Sequence, residues 1–251
     1  MASKKVTLIA QLKGGKKTKQ GLKGIDSGLK SMGKSAITAG AAYFGARGII
    51  SGLQQSIELA AKMEGVERGF ANLAKSAGFS AQTFNKLHKA TDGTVTALDL
   101  MTQANNAMLL GIFDSEDQMA EMFDTAQRLA QALGKDAAFG IESLITGMGR
   151  QSKLMLDNLG IMVKAEDAYK NFAKQLGKTV EGLTDQERKQ AFVNAAMEEA
   201  SKLVKTLGEE ELTTANKISQ MVVAVDELKL ALGEELAPVI SRTIDFWMEF
   251  I

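Results

Sequence analysis

A single proline, Pro238, stands in a chain of 251 residues, and this near absence of proline constrains the fold more than any other feature. Proline removes a backbone donor and clashes with the preceding helical turn, so its rarity leaves long, uninterrupted helices open to the chain. Alanine, leucine, lysine and glutamate are abundant, and these side chains lose little freedom in a helix. We therefore predict an all-α protein of extended helices and helical hairpins.

The residues that carry most enzyme chemistry are scarce. The chain has no cysteine, which excludes disulfides, thiol nucleophiles and cysteine-ligated zinc. His88 is the only histidine. This excludes a multi-histidine metal site and nearly excludes a serine–histidine–aspartate catalytic triad. Acidic pairs such as Asp226-Glu227 and Glu234-Glu235 occupy adjacent helical positions and point apart, as solvated charges do. We predict no catalytic, cofactor-binding or metal-binding residues.

The N-terminal residues are strongly basic. Residues 1–34 hold nine lysines and one acid, Asp26, which gives +8; because the total charge is zero, the rest of the chain carries −8. A basic arm of this kind contacts DNA or another acidic surface, or else is a solvated tail. The run VTLIA within it is too short for a signal peptide and alternates imperfectly, so a short strand and a coil fit equally. We delimit residues 1–34 as a glycine- and lysine-rich basic arm.

The most hydrophobic stretch, Ser35–Leu53, opens a helical region that we delimit as residues 35–75. A membrane-spanning helix has to be weighed here. The large apolar side chains each favour insertion by roughly 0.3–0.6 kcal/mol, whereas Arg47 near the middle costs about 2.5–3.5 kcal/mol. The sum is close to zero, and close helix packing is favoured instead by six small residues: Ala36, Gly40, Ala41, Gly45, Gly48 and Gly52.

The pattern of residues 76–208 predicts successive helices with explicit start and stop signals. One helix should bury a face whose apolar residues recur every three or four positions: Met119, Met122, Phe123, Ala126, Leu129, Ala130 and Leu133. The predicted helix starts are Ser80, Asp114 or Ser115, and Thr184 with Glu187 as a capping box, and the predicted ends are Gly78, Gly134 and Gly208.

The stretch GMGRQSKLMLDNLGIMV, Gly147–Val163, raises the question of a phosphate-binding glycine loop. A dinucleotide fingerprint would need a glycine where Ser152 stands, a Walker loop would need Gly-Lys-Ser/Thr, and the preceding residues have helical spacing. We predict instead that both glycines end one helix, that Ser152 caps a short one and that Leu159-Gly160-Ile161 form a helix end. This predicted joint comprises Gly147, Gly149, Arg150, Leu156, Asp157, Asn158, Leu159 and Gly160.

Residues 209–251 carry the most regular apolar pattern and predict a C-terminal amphipathic helix. Nine apolar residues recur mostly at spacings of three and four, as in a coiled-coil seam, with interruptions at Gly233 and Pro238. One face of a globular bundle would give the same pattern, and sequence separates the two poorly. We call these nine residues the apolar stripe: Ile218, Met221, Val225, Leu228, Leu232, Leu236, Val239, Ile244 and Trp247.

Several of these motifs, in one order, resemble the helical region of tail tape-measure proteins of long-tailed bacteriophages and prophages. They are the Leu-Ile-Thr-Gly helix end at 144–147, Gly-Arg at 149–150, Leu-Asp-Asn-Leu-Gly-Ile at 156–161 and the Leu-Thr-x-x-Glu helix start at 183–187. With AQRLAQALGKDAAFGIESL upstream and LGEELAPVI downstream, the resemblance covers about residues 35–245.

The resemblance implies a virion structural protein that lies extended in the lumen of the tail tube, sets tail length during assembly in the bacterial host cytoplasm, and is released at DNA ejection. The implied partners are other copies of the chain, bundled in a parallel coiled assembly (a homo-oligomer such as a trimer), the tail tube protein, a tail-tip or baseplate hub and a tail assembly chaperone. Two further partners are implied: DNA, contacted by the basic arm, and the host membrane, reached on ejection. A fully helical chain of this length would span at most roughly 380 Å.

One feature departs from the family, whose members usually have a long, repetitive helical middle. No internal repeat is found here, which fits either a very short tail or the early part of a longer parent chain. The alternative function is a membrane-active helical protein that forms a pore or translocation channel, and it rests on Ser35–Leu53. The two functions are compatible, since an ejected tape measure can also cross the host envelope. An enzyme is the third and weakest hypothesis.

Overall fold

In a computed structural model of the chain, the structure describes residues 45–208 and 213–248; for residues 45–54, 236 and 238–248 it describes the helical backbone only. These residues form helices and contain no strand, which confirms the all-α prediction. The basic arm and residues 35–44 lie outside the described part of the chain. The helices are α1 Gly45–Ser76, α2 Thr83–Ala90, α3 Ala97–Leu110, α4 Glu116–Ala132, α5 Ala137–Gly149, α6 Lys153–Asp157, α7 Ala165–Gln175, α8 Asp185–Leu207 and α9 Thr214–Met248.

The chain divides into two compact units. The first, Ala60–Leu230, contains the end of α1, all of α2 to α8 and the first half of α9, and we call it the body. Of the second unit, the structure describes the start of α1, up to Leu59, and the end of α9, from Ala231. Because the helices of the body fold back on one another, this part of the chain is far shorter than one unbroken helix would be.

Helices α4 and α5 form the centre of the body. Helix α4 packs against α2, α5 and α8, and α5 packs against α3, α6 and α8 as well. Six of the seven residues predicted for the buried face of α4 are buried, and Phe123 is fully so. Leu133 is the exception: it lies just past the last helical turn as the C-cap and is half exposed, so its predicted burial was wrong.

Most of the helix ends lie where the sequence signals place them. Ser115 caps α4 by accepting from the Gln118 N–H, and Thr184 and Glu187 form a reciprocal capping box at the start of α8. Gly78, Gly134 and Gly208 follow helix ends in the positive-φ conformation that favours glycine. The prediction for Ser80 was wrong. Helix α2 begins at Thr83 after Gln82, and the Ser80 hydroxyl accepts from the Gln82 N–H within the preceding turn.

Gly140 sets the distance between the two central helices. A Cβ at this position would lie 2.5 Å from the Ala130 Cβ and 2.6 Å from the backbone oxygen of Ala126. The second contact is with backbone, which no side-chain rotation can relieve. The absence of a side chain at Gly140 therefore lets α5 lie directly against α4.

We expect the Gly140→Ala variant to lose about 1–3 kcal/mol of unfolding free energy, because the added methyl group overpacks this crossing. Gly65→Ala is the matched control, since Gly65 is also helical and a Cβ there would meet nothing within 4 Å. That variant should gain about 0.5–1 kcal/mol, since alanine favours helix. Urea unfolding followed by circular dichroism measures both. Equal effects in the two variants would contradict a tight crossing at Gly140.

Candidate functional site: the joint and the two faces of the last helix

The predicted joint brings α3, α5 and α6 together. A Cβ at Gly147 would lie 2.6 Å from Leu156 Cδ2, and a Cβ at Gly149 would lie 2.5 Å from Leu110 Cδ1. Leu156 is completely buried and Leu110 packs against the core. The two glycines therefore serve the close approach of α6 and α3 to the last turn of α5.

The prediction that this helix ends at the two glycines is confirmed for Gly149 and wrong for Gly147. Gly147 is still inside α5, Gly149 is its last residue, and the positive-φ residue that follows is Gln151, at φ +52°. The Ser152 N–H donates to the Gly147 carbonyl at 2.8 Å and closes the helix end. Glycine usually occupies the positive-φ position at a helix end. In this joint Gln151 occupies that position, and Gly147 and Gly149 lie where neighbouring side chains pack closely.

The remaining residues of the joint divide between core and surface. Ser152 caps α6, Leu159 is buried, and Gly160 has φ +73° at the end of the short helix. Arg150 and Asp157 are exposed, and the Asn158 carbonyl accepts from Lys135 Nζ at 2.7 Å. Gly147, Leu156 and Leu159 are buried, so the part of the joint that the structure explains is the packing of helices against one another.

The apolar stripe lies on the exposed face of α9. Its five members with described side chains have 39–63% of their surface accessible, and the neighbouring Val222 is 52% accessible. Those five are Ile218, Met221, Val225, Leu228 and Leu232. The side chains of the other four, Leu236, Val239, Ile244 and Trp247, lie outside the described residues. The part of the stripe in the body does not face the body's core.

The face of α9 that contacts the body is different and partly polar. Asn216 and Val223 are buried, and Leu230 packs against the core cluster. Asn216 Nδ2 donates to Gln131 Oε1 at 3.1 Å, and Gln220 Nε2 donates to the Asp92 carbonyl at 2.7 Å. Apolar periodicity alone does not predict this face, because Asn216 is polar; the signal for it in the sequence is the seven-residue spacing of Asn216, Val223 and Leu230.

Residues seven apart lie on one side of a helix, so the two faces can be placed in one heptad register. If Ile218, Val225 and Leu232 occupy position a, then Met221 and Leu228 occupy position d. Asn216, Val223 and Leu230 then occupy position f, which points directly away from an a/d seam. Contact with the body therefore leaves the stripe free along its whole described length.

A polar network fixes the turn that Gln220 contacts. Asp92 has a positive φ of +47°, which is unfavourable for a residue with a Cβ. Its Oδ2 accepts from Gln127 Nε2 at 3.0 Å, and Gln127 Oε1 accepts from the Thr94 hydroxyl at 2.8 Å. Gln127 is completely buried in α4. The turn at Asp92 thus joins α4 to the inner face of α9.

Glu116 is the carboxylate with the most depressed pKa among the described residues. Lys86 Nζ lies 2.6 Å from its Oε1, and the Thr83 hydroxyl donates to its Oε2 at 2.6 Å. The Ser80 hydroxyl and N–H donate to it as well. The Lys86 contact first, and then the hydroxyl and backbone donors, lower the pKa of Glu116 from 4.5 to about 2. Each donor belongs to α2 or its preceding turn, so Glu116 ties α2 to the start of α4.

No group of three or more histidine, cysteine, aspartate or glutamate side chains in the described residues could hold a metal ion. No helix in the same part of the chain is long and apolar enough to cross a membrane. Most of Ser35–Leu53, on which the membrane hypothesis rests, lies outside the described residues, and the side chains of its remainder are not described.

Among known proteins, no family model matches the chain, and no solved structure matches it.

The depressed pKa of Glu116 predicts a dependence of stability on pH. A carboxyl whose pKa is lower in the folded state stabilises the fold above its unfolded pKa, and this stabilisation is lost as the pH falls from about 4.5 towards 2. Glu116→Gln should lower the unfolding free energy at pH 7 by about 1–3 kcal/mol, because charged hydrogen bonds are lost. The difference from the unsubstituted chain should shrink between pH 4.5 and 2.

Asp117→Asn is the matched control for this prediction. Asp117 also pairs with Lys86, at 2.6 Å, but its side chain is 79% exposed, and exposed pairs contribute little. Chemical unfolding at a series of pH values measures both variants. A Glu116→Gln chain whose deficit is the same at pH 7 and pH 2 would contradict the role of the Glu116 charge.

Proposed function

We propose that this protein is a structural tail tape-measure protein of a bacteriophage, without catalytic activity, that lies in the lumen of the tail tube and sets tail length during assembly. The observation that carries the proposal is the apolar stripe on the exposed face of α9, opposite the face that contacts the body. The resemblance of about residues 35–245 to the tape-measure family supports this particular function.

The stripe supports association with other copies of the chain. Apolar side chains at successive a and d positions of a long helix pack between the side chains of a partner helix. Lys217 and Lys229 are the only charged residues at the flanking e and g positions from 217 to 231, and Ala224 and Ala231 leave room there for a close partner. A contiguous exposed apolar surface on a folded chain is typical of such an interface. The proposed partner is therefore a parallel copy of α9 in a homo-oligomer.

The compact body restricts which part of the chain acts as a ruler. A helix rises about 1.5 Å per residue, so α9 with its 35 residues contributes roughly 50 Å along a tube axis. The body contributes only its own width, whatever number of residues it contains. In this proposal the long helices α1 and α9 set the tail length, because each of their residues adds length along the tube axis. The body is a domain that occupies one place along the tube.

The other proposed partners follow from the position in the tail. The tail tube protein surrounds the assembly, a tail-tip or baseplate hub receives one end of it, and a tail assembly chaperone covers the apolar stripe before assembly. The basic arm, with its charge of +8, would contact DNA or the acidic lining of the tube through lysines. The host membrane is reached only on ejection.

Tail length tests the proposal directly. A three-heptad insertion after Leu230 adds helix beyond the part of α9 that contacts the body and keeps the seam in register. We expect it to lengthen tails by roughly 30 Å. The measurement is a histogram of tail lengths from electron micrographs of particles shown to contain the altered protein.

The control is an insertion of equal length, made of glycine and serine, between Glu181 and Gly182. These residues lie in the exposed loop before α8, where added chain forms a surface loop and adds no helix. Tails of that variant should keep their normal length. Tails that stay at normal length in the α9 variant too, or lengthen equally in both, would refute a ruler function for α9.

A further inference from the structure

The inner face of α9 is much less apolar than the faces of the other long helices of the body. In Thr214–Leu230, the part of α9 within the body, Asn216 and Val223 are the buried residues and Leu230 is partly buried. Helix α4, which has the same length of 17 residues, buries eight. We call Thr214–Leu230 the strap. Its attachment to the body has little of the apolar burial that makes a helix part of a cooperative core.

Hydrogen bonds supply much of the remaining attachment. Gln220 Nε2 donates to the Asp92 carbonyl and Asn216 Nδ2 donates to Gln131 Oε1. These amides would bond to water if the strap left the body, so each contact contributes a small net free energy. The bonds fix the position of the strap while opposing its release only weakly.

The space between the strap and the body is incompletely filled. A cavity of about 350 Å³ lies there, lined on one side by Ala215, Asn216 and Ser219 of the strap and on the other by residues such as Gln131 and Lys135. The cavity is open to solvent, since Ala215 and Lys135 at its edges are exposed, so solvent rather than protein lies against the strap there. It is a third feature, besides the sparse apolar burial and the polar contacts, of a weakly attached helix.

We propose that the strap is a releasable element, which leaves the body as a unit while α2 to α8 remain folded. In the docked state it holds the apolar stripe outward. In the released state its inner face, with Val223 and Leu230, becomes available as well, so that a helix in an assembly can be contacted from both sides. This inference goes beyond the proposed function and holds for any assembly that the stripe forms.

Thiol labelling of the full-length chain tests the release. The chain has no cysteine, so Val223→Cys introduces a single thiol on the inner face of the strap. Val193→Cys is the matched control, because Val193 is also a buried valine in the body, on α8. We expect the thiol at position 223 to react at least about tenfold faster than the thiol at 193, because it becomes accessible without unfolding of the body.

Removal of the polar contact should act on one thiol only. Adding Gln220→Ala should speed labelling at 223 by about fivefold, since one hydrogen bond is lost, and leave labelling at 193 unchanged. Lys217→Ala, on an exposed position of the same helix, controls for the change in helix propensity and should alter neither rate. Equal labelling rates at 223 and 193, or a Gln220→Ala effect that is absent or the same at both positions, would overturn the proposal.

Hydrogen exchange of the unsubstituted chain provides a measurement that needs no variant. A helix without tertiary contacts is only marginally stable in water, so release exposes its amides to exchange. Amides of 218–230 should exchange faster than those of 120–132 in α4 under conditions where the body is folded. Protection of the strap equal to that of α4 would overturn the proposal by itself.

Discussion

The close crossing of α4 and α5 at Gly140 is the constraint on which the body depends. A side chain at this position would collide with the backbone of Ala126. Because Gly140 has none, the two helices lie in direct contact and bury their facing apolar residues. The same helix carries Gly147 and Gly149, which admit Leu156 from α6 and Leu110 from α3. Three glycines on α5 thus decide where three neighbouring helices lie.

The last helix depends on this core and differs from it in chemistry. Position f of its heptads faces the body through Asn216, Val223 and Leu230, while positions a and d carry the exposed stripe. A helix that presents its more apolar side to solvent is unusual for a chain that works alone. The arrangement supports the proposed association with other copies, because one face attaches the body and the other remains exposed.

The sequence predicted the features that depend on local chemistry. The class of the fold follows from the rarity of proline, and the caps at Ser115 and Thr184 follow from hydroxyl and carboxylate groups at the spacing that a first helical turn requires. The buried face of α4 follows from the three-and-four spacing of Met119 to Ala130, because that spacing repeats over about three turns.

The features that the sequence did not predict depend on contacts between distant residues. Gly147 and Gly149 have the same local signature whether they end a helix or admit another one, and only the position of Leu156 and Leu110 distinguishes the two. Asn216 and Gln220 are ordinary surface residues until the turn at Asp92 and the side chain of Gln131 are placed beside them. Serine is one of the residue types that most often cap a helix N-terminus. The Ser80 hydroxyl instead donates to Glu116, which is 36 residues away in the chain.

The central proposal is that, while the strap is docked on the body, copies of this chain meet at the stripe and not at another face of α9. Disulfide cross-linking tests it most directly, because the chain has no cysteine of its own and a disulfide requires Cα atoms within about 7 Å. Under mild oxidation, Val225→Cys at position a should form a disulfide between two copies with high yield, whereas Ser219→Cys, toward the inner face, should not. Equal yields at the two positions, or no cross-link at Val225, would contradict the claim.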